Sequence, residues 1–275
     1  MYFIIQAIDR LNLKIYFCTS FEEKGKKTMR IRKIITLLFL LLGALSVDGK
    51  HSKFRHRNIS RHITPSVNIS NYLWSNQIIG IDVSKHTGLI DWDQIKQQGI
   101  GFAYIKSTEG VDYLDPRFSY NVKEAKDAGV PVGAYHFFRF HRSGAEQAIN
   151  FMTQVNINSL DLPPVVDVEE WGQYSFSKNV DNVAIELQSF IKSIEALSTR
   201  KVVIYADQTS YKKYIEGRFK NNRIWICSLG KEPQIDQKWS LWQQCHRGRC
   251  AGTKGIVDIN LFNGNEQDWK AFTQN

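Results

Sequence analysis

Cysteine is scarce in this chain, four in 275 residues. That is too few for a disulfide-dense scaffold, and no pair stands in the doubled Cys-x-x-Cys spacing of a structural zinc site. No Gly-x-Gly-x-x-Gly or Walker-type loop follows any strand-like segment, so nucleotide binding has no support. The apolar run Ile34 to Val47 has 14 residues, short of the roughly 20 that a membrane-spanning helix needs. Acidic side chains are absent from Lys50 to Gln77, which carries five Lys and Arg.

That last absence explains the net charge of +9, which alone would suit a partner rich in phosphate or carboxylate. Residues 1–49 hold eight basic and four acidic side chains, whereas Ile78 to Asn275 hold 23 of each. The last two-thirds of the chain is formally neutral. The basic stretch lacks interleaved aromatics and follows an export signal, so no nucleic-acid partner is expected. Loose attraction to an anionic cell envelope suits it better.

What is present is ample for a core: 43% hydrophobic residues, with seven Trp, eleven Tyr and sixteen Phe. Disorder over the whole length is excluded. Met29-Arg-Ile-Arg-Lys33 followed by the Ile34 to Val47 run, ending in small residues near Ala44 and Ser46, has the pattern of a secretory signal peptide. The expected organisation is an upstream extension over 1–28 if translation starts at Met29, a signal peptide over 29–49, a basic flexible linker over 50–77, and one domain over 78–275. The mature protein is expected outside the cytoplasm, in the periplasm, at the envelope or secreted, with no stable membrane span after processing. Export permits disulfides, and a bridge is expected between Cys245 and Cys250, with Cys227 a buried apolar residue.

From Ile78 onward, apolar runs alternate with amphipathic stretches. Strands are expected at Ile78–Ser84, Phe102–Ser107, Pro131–Phe138, Pro164–Glu169 and Lys201–Ala206. Helices are expected at Asp91–Gln98, from Asp115 as cap to Gly129, at Ala145–Val155 and at Val180–Leu197. Three further strand-like segments, Arg223–Cys227, Ser240–Gln244 and Ile256–Asn260, are separated by too little sequence for full helices. Such repeats imply a parallel sheet with right-handed crossovers. The fold class is α/β, an irregular β/α barrel of the TIM-like kind with a shortened, strand-rich final third.

The reactive face of such barrels lies at the C-terminal strand ends. There stand Asp82, Asp167 with Glu169, and Asp258. Residues two apart on a strand share a face, and Val165, Val166 and Val168 imply burial, which is costly for carboxylates without a task or a counter-charge. Lys106 is the candidate counter-charge. Metal hydrolysis would usually recruit histidine, and only His86 and His136 lie near strand ends, so no metal or cofactor is expected. Glycoside hydrolysis fits better: a protonated carboxyl serves the leaving oxygen while its neighbours raise its pKa. Tyr104, Tyr135, Phe137, Trp171, Tyr205 and Trp242 could face sugar rings or simply pack the core.

Seven ordered blocks carry a resemblance. They are Gly80-Ile-Asp-Val-Ser84, Tyr104-Ile-Lys-Ser-Thr-Glu-Gly110, Tyr113-Leu-Asp-Pro-Arg-Phe118, Gly133-Ala-Tyr-His-Phe137, Pro164-Val-Val-Asp-Val-Glu169, Leu241-Trp-Gln243 and Val257-Asp-Ile-Asn-Leu-Phe-Asn-Gly264. From about Ile78 to Phe272 the chain resembles the glycoside hydrolase family 25 lysozymes. The resemblance implies a secreted muramidase acting on peptidoglycan glycan strands, cutting the β-1,4 bond between N-acetylmuramic acid and N-acetylglucosamine, and working as a monomer. By position it implies Glu169 as general acid and Asp167 as its partner carboxylate. It also implies Asp82 and Asp258 as flanking aspartates, Tyr135 and Tyr205 as cleft tyrosines, and Lys106 and Trp242 as further substrate contacts. Gln244 stands where the family often has an aromatic. Two other readings remain open, a chitinase-like glycosidase and a wall-binding barrel without catalysis. The first lacks the longer Asp-x-x-Asp-x-Asp-x-Glu run, and the second sits poorly with four carboxyls in place. Strand spacing of about 6.6–6.8 Å over two residues does not choose between direct water attack, a nucleophilic carboxylate and assistance by the substrate's acetamido group. The last, with retention, is preferred.

Overall fold

The structure, a computed structural model, describes residues 67–69, 77–170 and 179–274. The expected upstream extension, the signal peptide, most of the basic linker and Trp171 lie outside the described residues.

Ten strands are described: β1 (Val67–Asn68), β2 (Ile79–Val83), β3 (Phe102–Glu109), β4 (Tyr113–Leu114), β5 (Val132–Phe137), β6 (Val165–Asp167), β7 (Val203–Asp207), β8 (Arg223–Cys227), β9 (Trp239–Arg249) and β10 (Val257–Phe262). Strands β2, β3, β5, β6, β7, β8 and β9 run parallel in that order, and β10 closes the ring antiparallel to both β9 and β2. The result is a closed eight-stranded barrel. The helices α1 (Trp92–Gln97), α2 (Phe118–Asp127), α3 (Gly144–Gln154) and α4 (Val180–Leu197) follow β2, β3, β5 and β6, and α5 (Gln208–Ser210) runs into a π turn over Tyr211–Ile215 after β7. Beyond β8 no helix intervenes until α6 (Glu266–Thr273), which gives the strand-rich final third.

Period-two patterning sorts the side chains. Ile81, Ala103, Ala134, Val166, Ile204, Ile224 and Ile259 belong to the layer between barrel and helices, together with Val183, Leu187, Phe190, Ile191 and Ile194 of α4. Each of the larger of these side chains, Val, Leu, Ile or Phe, contributes roughly 1.5–3 kcal/mol. The opposite phase fills the barrel with Phe102, Tyr104, Val165, Val203, Tyr205, Trp225, Leu241 and Phe262. Two glycines make room for the rings. A Cβ at Gly80 would stand 2.3 Å from the Phe102 ring, and one at Gly133 2.3 Å from that of Tyr104. At the N-terminal end Trp269 and Phe272 of α6 pack on Phe102 and Phe262, and Arg223 Nη1 donates to the Phe272 carbonyl at 3.1 Å. That end is therefore plugged, and the interior opens only at the other rim.

Two expectations are corrected. Asp115 does not cap α2, which starts at Phe118. Its carboxylate instead accepts the backbone N–H groups of Arg117 at 2.9 Å and Lys85 at 3.0 Å, pinning the loop after β2 to the one after β3. Cys245 and Cys250 are unbridged. The stretch between them is no tight turn but the continuation of β9 to Arg249, and five residues of strand span roughly 16 Å, far beyond the ~4.4–6.8 Å a disulfide tolerates. Within the expected linker, Val67–Asn68 pair with Gly248–Arg249 and Ile69 is 1% exposed in the core.

Candidate active site

At the open rim lies a cleft of about 1040 Å³, lined by residues from every barrel strand. Inward-phase positions near the C-terminal strand ends supply Asp82 from β2, Lys106 from β3, Tyr135 and Phe137 from β5, Asp167 from β6, Tyr205 and Asp207 from β7, Trp225 and Cys227 from β8, and Gln243 from β9. Glu169 follows two residues after Asp167, just past the end of β6. Asp258 reaches the same rim because β10 runs the other way: it lies near the start of its strand, paired with Asp82.

Seven of the eight residues singled out in the sequence thus meet in one cleft. Trp242 does not. It alternates with Leu241 and Gln243, which face inward, so its ring joins the outer layer against Trp239 and its indole N–H donates to the Ser228 carbonyl at 2.7 Å. Tyr104 also lies below the cleft, its hydroxyl donating to the Pro163 carbonyl at 3.2 Å. His136 points into the outer layer, stacked on Phe190, between the Thr108 hydroxyl and the Gln147 side chain. Burial there lowers its pKa to about 3, so it is neutral.

The carboxyls do not share one environment. Asp82 is held by two amides: Gln243 Nε2 donates to its Oδ2 at 2.9 Å and Asn260 Nδ2 to the same oxygen at 2.8 Å. Burial raises its pKa, against the pull of these donors and of Asp258. Asp258 has no amide donor of that kind among the described residues, and burial together with the Asp82 charge pushes it up to about 9. Asp167 is raised well above the ordinary carboxylate range, first by burial and then by the charge of Glu169, and its Oδ1 is buried without a hydrogen-bond partner among the described residues. Burial, then the charges of Asp207 and Asp82, lifts Glu169 to about 7. A carboxyl that keeps its proton to neutrality at the open rim is what general-acid chemistry requires.

Lys106 is the counter-charge only in part. Its Nζ bonds Glu109 Oε2 at 2.7 Å, and Glu109 in turn is held by Arg139. From there Lys106 lowers the pKa of Asp167 and Glu169 through space, without overcoming burial. Asp207 joins the rim too, ending a strand as Asp82 and Asp167 do; the apolar run that marks the strand in the sequence ends at Ala206, one residue short of it.

The sequence profile of the family described as Glycosyl hydrolases family 25 matches residues 81–253. Over 264 residues, 88% of this chain and 94% of the other, the sequence is 31% identical to "Uncharacterized protein YegX" of Escherichia coli O157:H7. It is 35% identical over 209 residues to Lysozyme M1 of Streptomyces globisporus, covering 71% of each. Among solved structures, a family 25 glycosyl hydrolase from Bacillus anthracis superposes with a TM-score of 0.68 at 36% identity, covering 71% of this chain and 93% of that one. With a closed barrel, a rim of pKa-shifted carboxyls and these relatives in hand, the chain belongs to glycosyl hydrolase family 25 and is a glycoside hydrolase of the lysozyme type.

Proposed function

We propose that the protein cuts the β-1,4 bond between N-acetylmuramic acid and N-acetylglucosamine in peptidoglycan, outside the cytoplasm, with Glu169 as general acid. The observation that carries this reading is the Glu169 carboxyl, lifted to about 7 at the open rim of the barrel. Membership of a lysozyme family makes peptidoglycan the substrate class. The basic run and apolar stretch of residues 29–49 support export.

In this reading Glu169 gives its proton to the leaving glycosidic oxygen as the C1–O bond breaks. The substrate's acetamido oxygen closes on C1 from the opposite face, and the ionised Glu169 then takes a proton from the water that reopens the ring, with net retention. The partnerless Oδ1 of Asp167 is an acceptor for the acetamido N–H, which would orient that oxygen. Asp82 and Asp258 flank the cleft, and Tyr135 and Tyr205 line it.

The test is digestion of purified peptidoglycan and chitin by the mature protein and by Glu169→Gln, with the reducing-end sugar identified by mass spectrometry. Reducing-end muramic acid is expected from the unmutated protein alone, with turnover by Glu169→Gln reduced by about 10²-fold or more, the lower end of what a general acid contributes. Reducing-end N-acetylglucosamine would make the enzyme a glucosaminidase or chitinase. Equal, negligible release by both proteins would leave a wall-binding barrel.

A further inference from the structure

Around Asp82 runs a chain of side chains to which the reading above gives no task. Gln243 and Asn260 both donate to the single oxygen Oδ2. A carboxamide could turn over and present its oxygen instead, but Asn260 cannot here. Tyr205 donates its hydroxyl to Gln243 Oε1 at 2.8 Å, and Trp225 donates its indole N–H to Asn260 Oδ1 at 3.0 Å. An indole N–H can only donate, so the Asn260 amide is fixed with its NH₂ toward Asp82. Asn260 is fully buried and Gln243 nearly so. Two oriented donors on one oxygen favour a carboxylate there over a carboxylic acid.

We propose that Asn260, locked by Trp225, and Gln243, bonded to Tyr205, are positioning residues that keep Asp82 ionised and so confine the proton of the Asp82–Asp258 pair to Asp258. The inference rests on the reading of Glu169 as acid and extends it to how that acid keeps its proton. An anionic Asp82 is one of the charges that raise Glu169, whereas a neutral Asp258 is not. The other groups facing Asp82 are Asp167, His246 on β9, Tyr135, Tyr205 and Cys227. Lys106 acts on Asp167 and Glu169 with the opposite sign. None of these donates to Asp82 Oδ2; the two amides there oppose the burial that raises Asp82, together with Asp258 and His246.

The experiment reads protonation directly. Protein labelled with carbon-13 at the aspartate carboxyls is titrated by NMR, with Asp82→Asn and Asp258→Asn giving the assignments. At neutral pH the Asp82 carboxyl is expected ionised and that of Asp258 protonated. In Gln243→Met or Asn260→Leu, near-isosteric changes that remove one donor, the Asp82 midpoint should rise by about one pH unit, the worth of one charge-assisted hydrogen bond. A protonated Asp82 beside an ionised Asp258 in the unmutated protein overturns the proposal, as do unmoved midpoints in a folded variant. Should Asn260→Leu fail to fold, Gln243→Met and the unmutated spectrum still decide. In the rate profile of Asp82→Asn, which lacks that anion, the alkaline limb of kcat/KM should come down in pH, whereas simple loosening of the site lowers the rate at every pH. An inactive unmutated protein would sink the assignment of Glu169 while leaving the titration readable.

Discussion

Glu169 is held in a state that the unfolded chain does not share. Its ordinary pKa of 4.5 becomes about 7 in the folded protein, chiefly by burial. Between those values the folded state keeps a proton that the unfolded state has lost, so the stability present below the lower value declines as pH rises to the upper one. Glu169→Gln cannot ionise and should match the parent near pH 4 but exceed it near pH 8 by on the order of 2 kcal/mol, read from urea midpoints. An equal difference at both pH values would contradict this. The same contrast explains how much of the site was legible at this scale. The acids and tyrosines are visible because strand ends can be found from apolar runs. Trp242 is misplaced because Leu241-Trp242-Gln243 is apolar in both phases at its start, and only the closed barrel shows which phase faces inward. The orphaned Asp167 Oδ1 and the amide pair on Asp82 arise between strands far apart in the sequence, so no local pattern records them.

At the level of elements, long and strongly periodic segments are the legible ones. The helix Val180–Leu197 falls on its expected bounds, because the buried stripe Val183, Leu187, Phe190, Ile191 and Ile194 repeats at helical spacing between the Asn179 cap and Ser198. Asp115-Pro116 also has the form of a helix start, but a tertiary bond from the Lys85 N–H and a local one from the Arg117 N–H engage the aspartate, and the helix starts at Phe118. The direction of β10 is not in its sequence at all, although it puts Asp258 at the reactive rim. Strand packing inside the barrel yields a prediction at this scale. In Gly133→Ala the new Cβ would stand 2.3 Å from the Tyr104 ring and 2.9 Å from Leu162, and the Tyr104 hydroxyl is tied to Pro163. Overpacking of this kind costs ~1–3 kcal/mol. A urea midpoint unchanged from the parent would show that the ring can move aside.

Over the whole molecule, the charge excess and the chemistry are separate. The barrel from Ile78 onward is formally balanced, while Lys50 to Arg61 concentrates five positive charges. Deleting residues 50–66 should weaken binding to an anionic wall and remove its salt sensitivity, leaving turnover of soluble glycan fragments intact. Extending the deletion through Ile69 should also lower the melting temperature, since that side chain is 1% exposed and β1 pairs with β9. Turnover lost with the shorter deletion would contradict the separation of charge from chemistry.

The helix α6 has a practical consequence. It seals the barrel floor, with Arg223 at the start of β8 gripping the carbonyls of Ala271 and Phe272, so the described chain finishes on the side away from the open rim. Surface attachment through the carboxyl-terminal end would present the mouth of the barrel to solution. An enzyme grafted that way onto a bead should digest an insoluble wall suspension, and one grafted through the β9–β10 hairpin, beside the mouth, should be blocked.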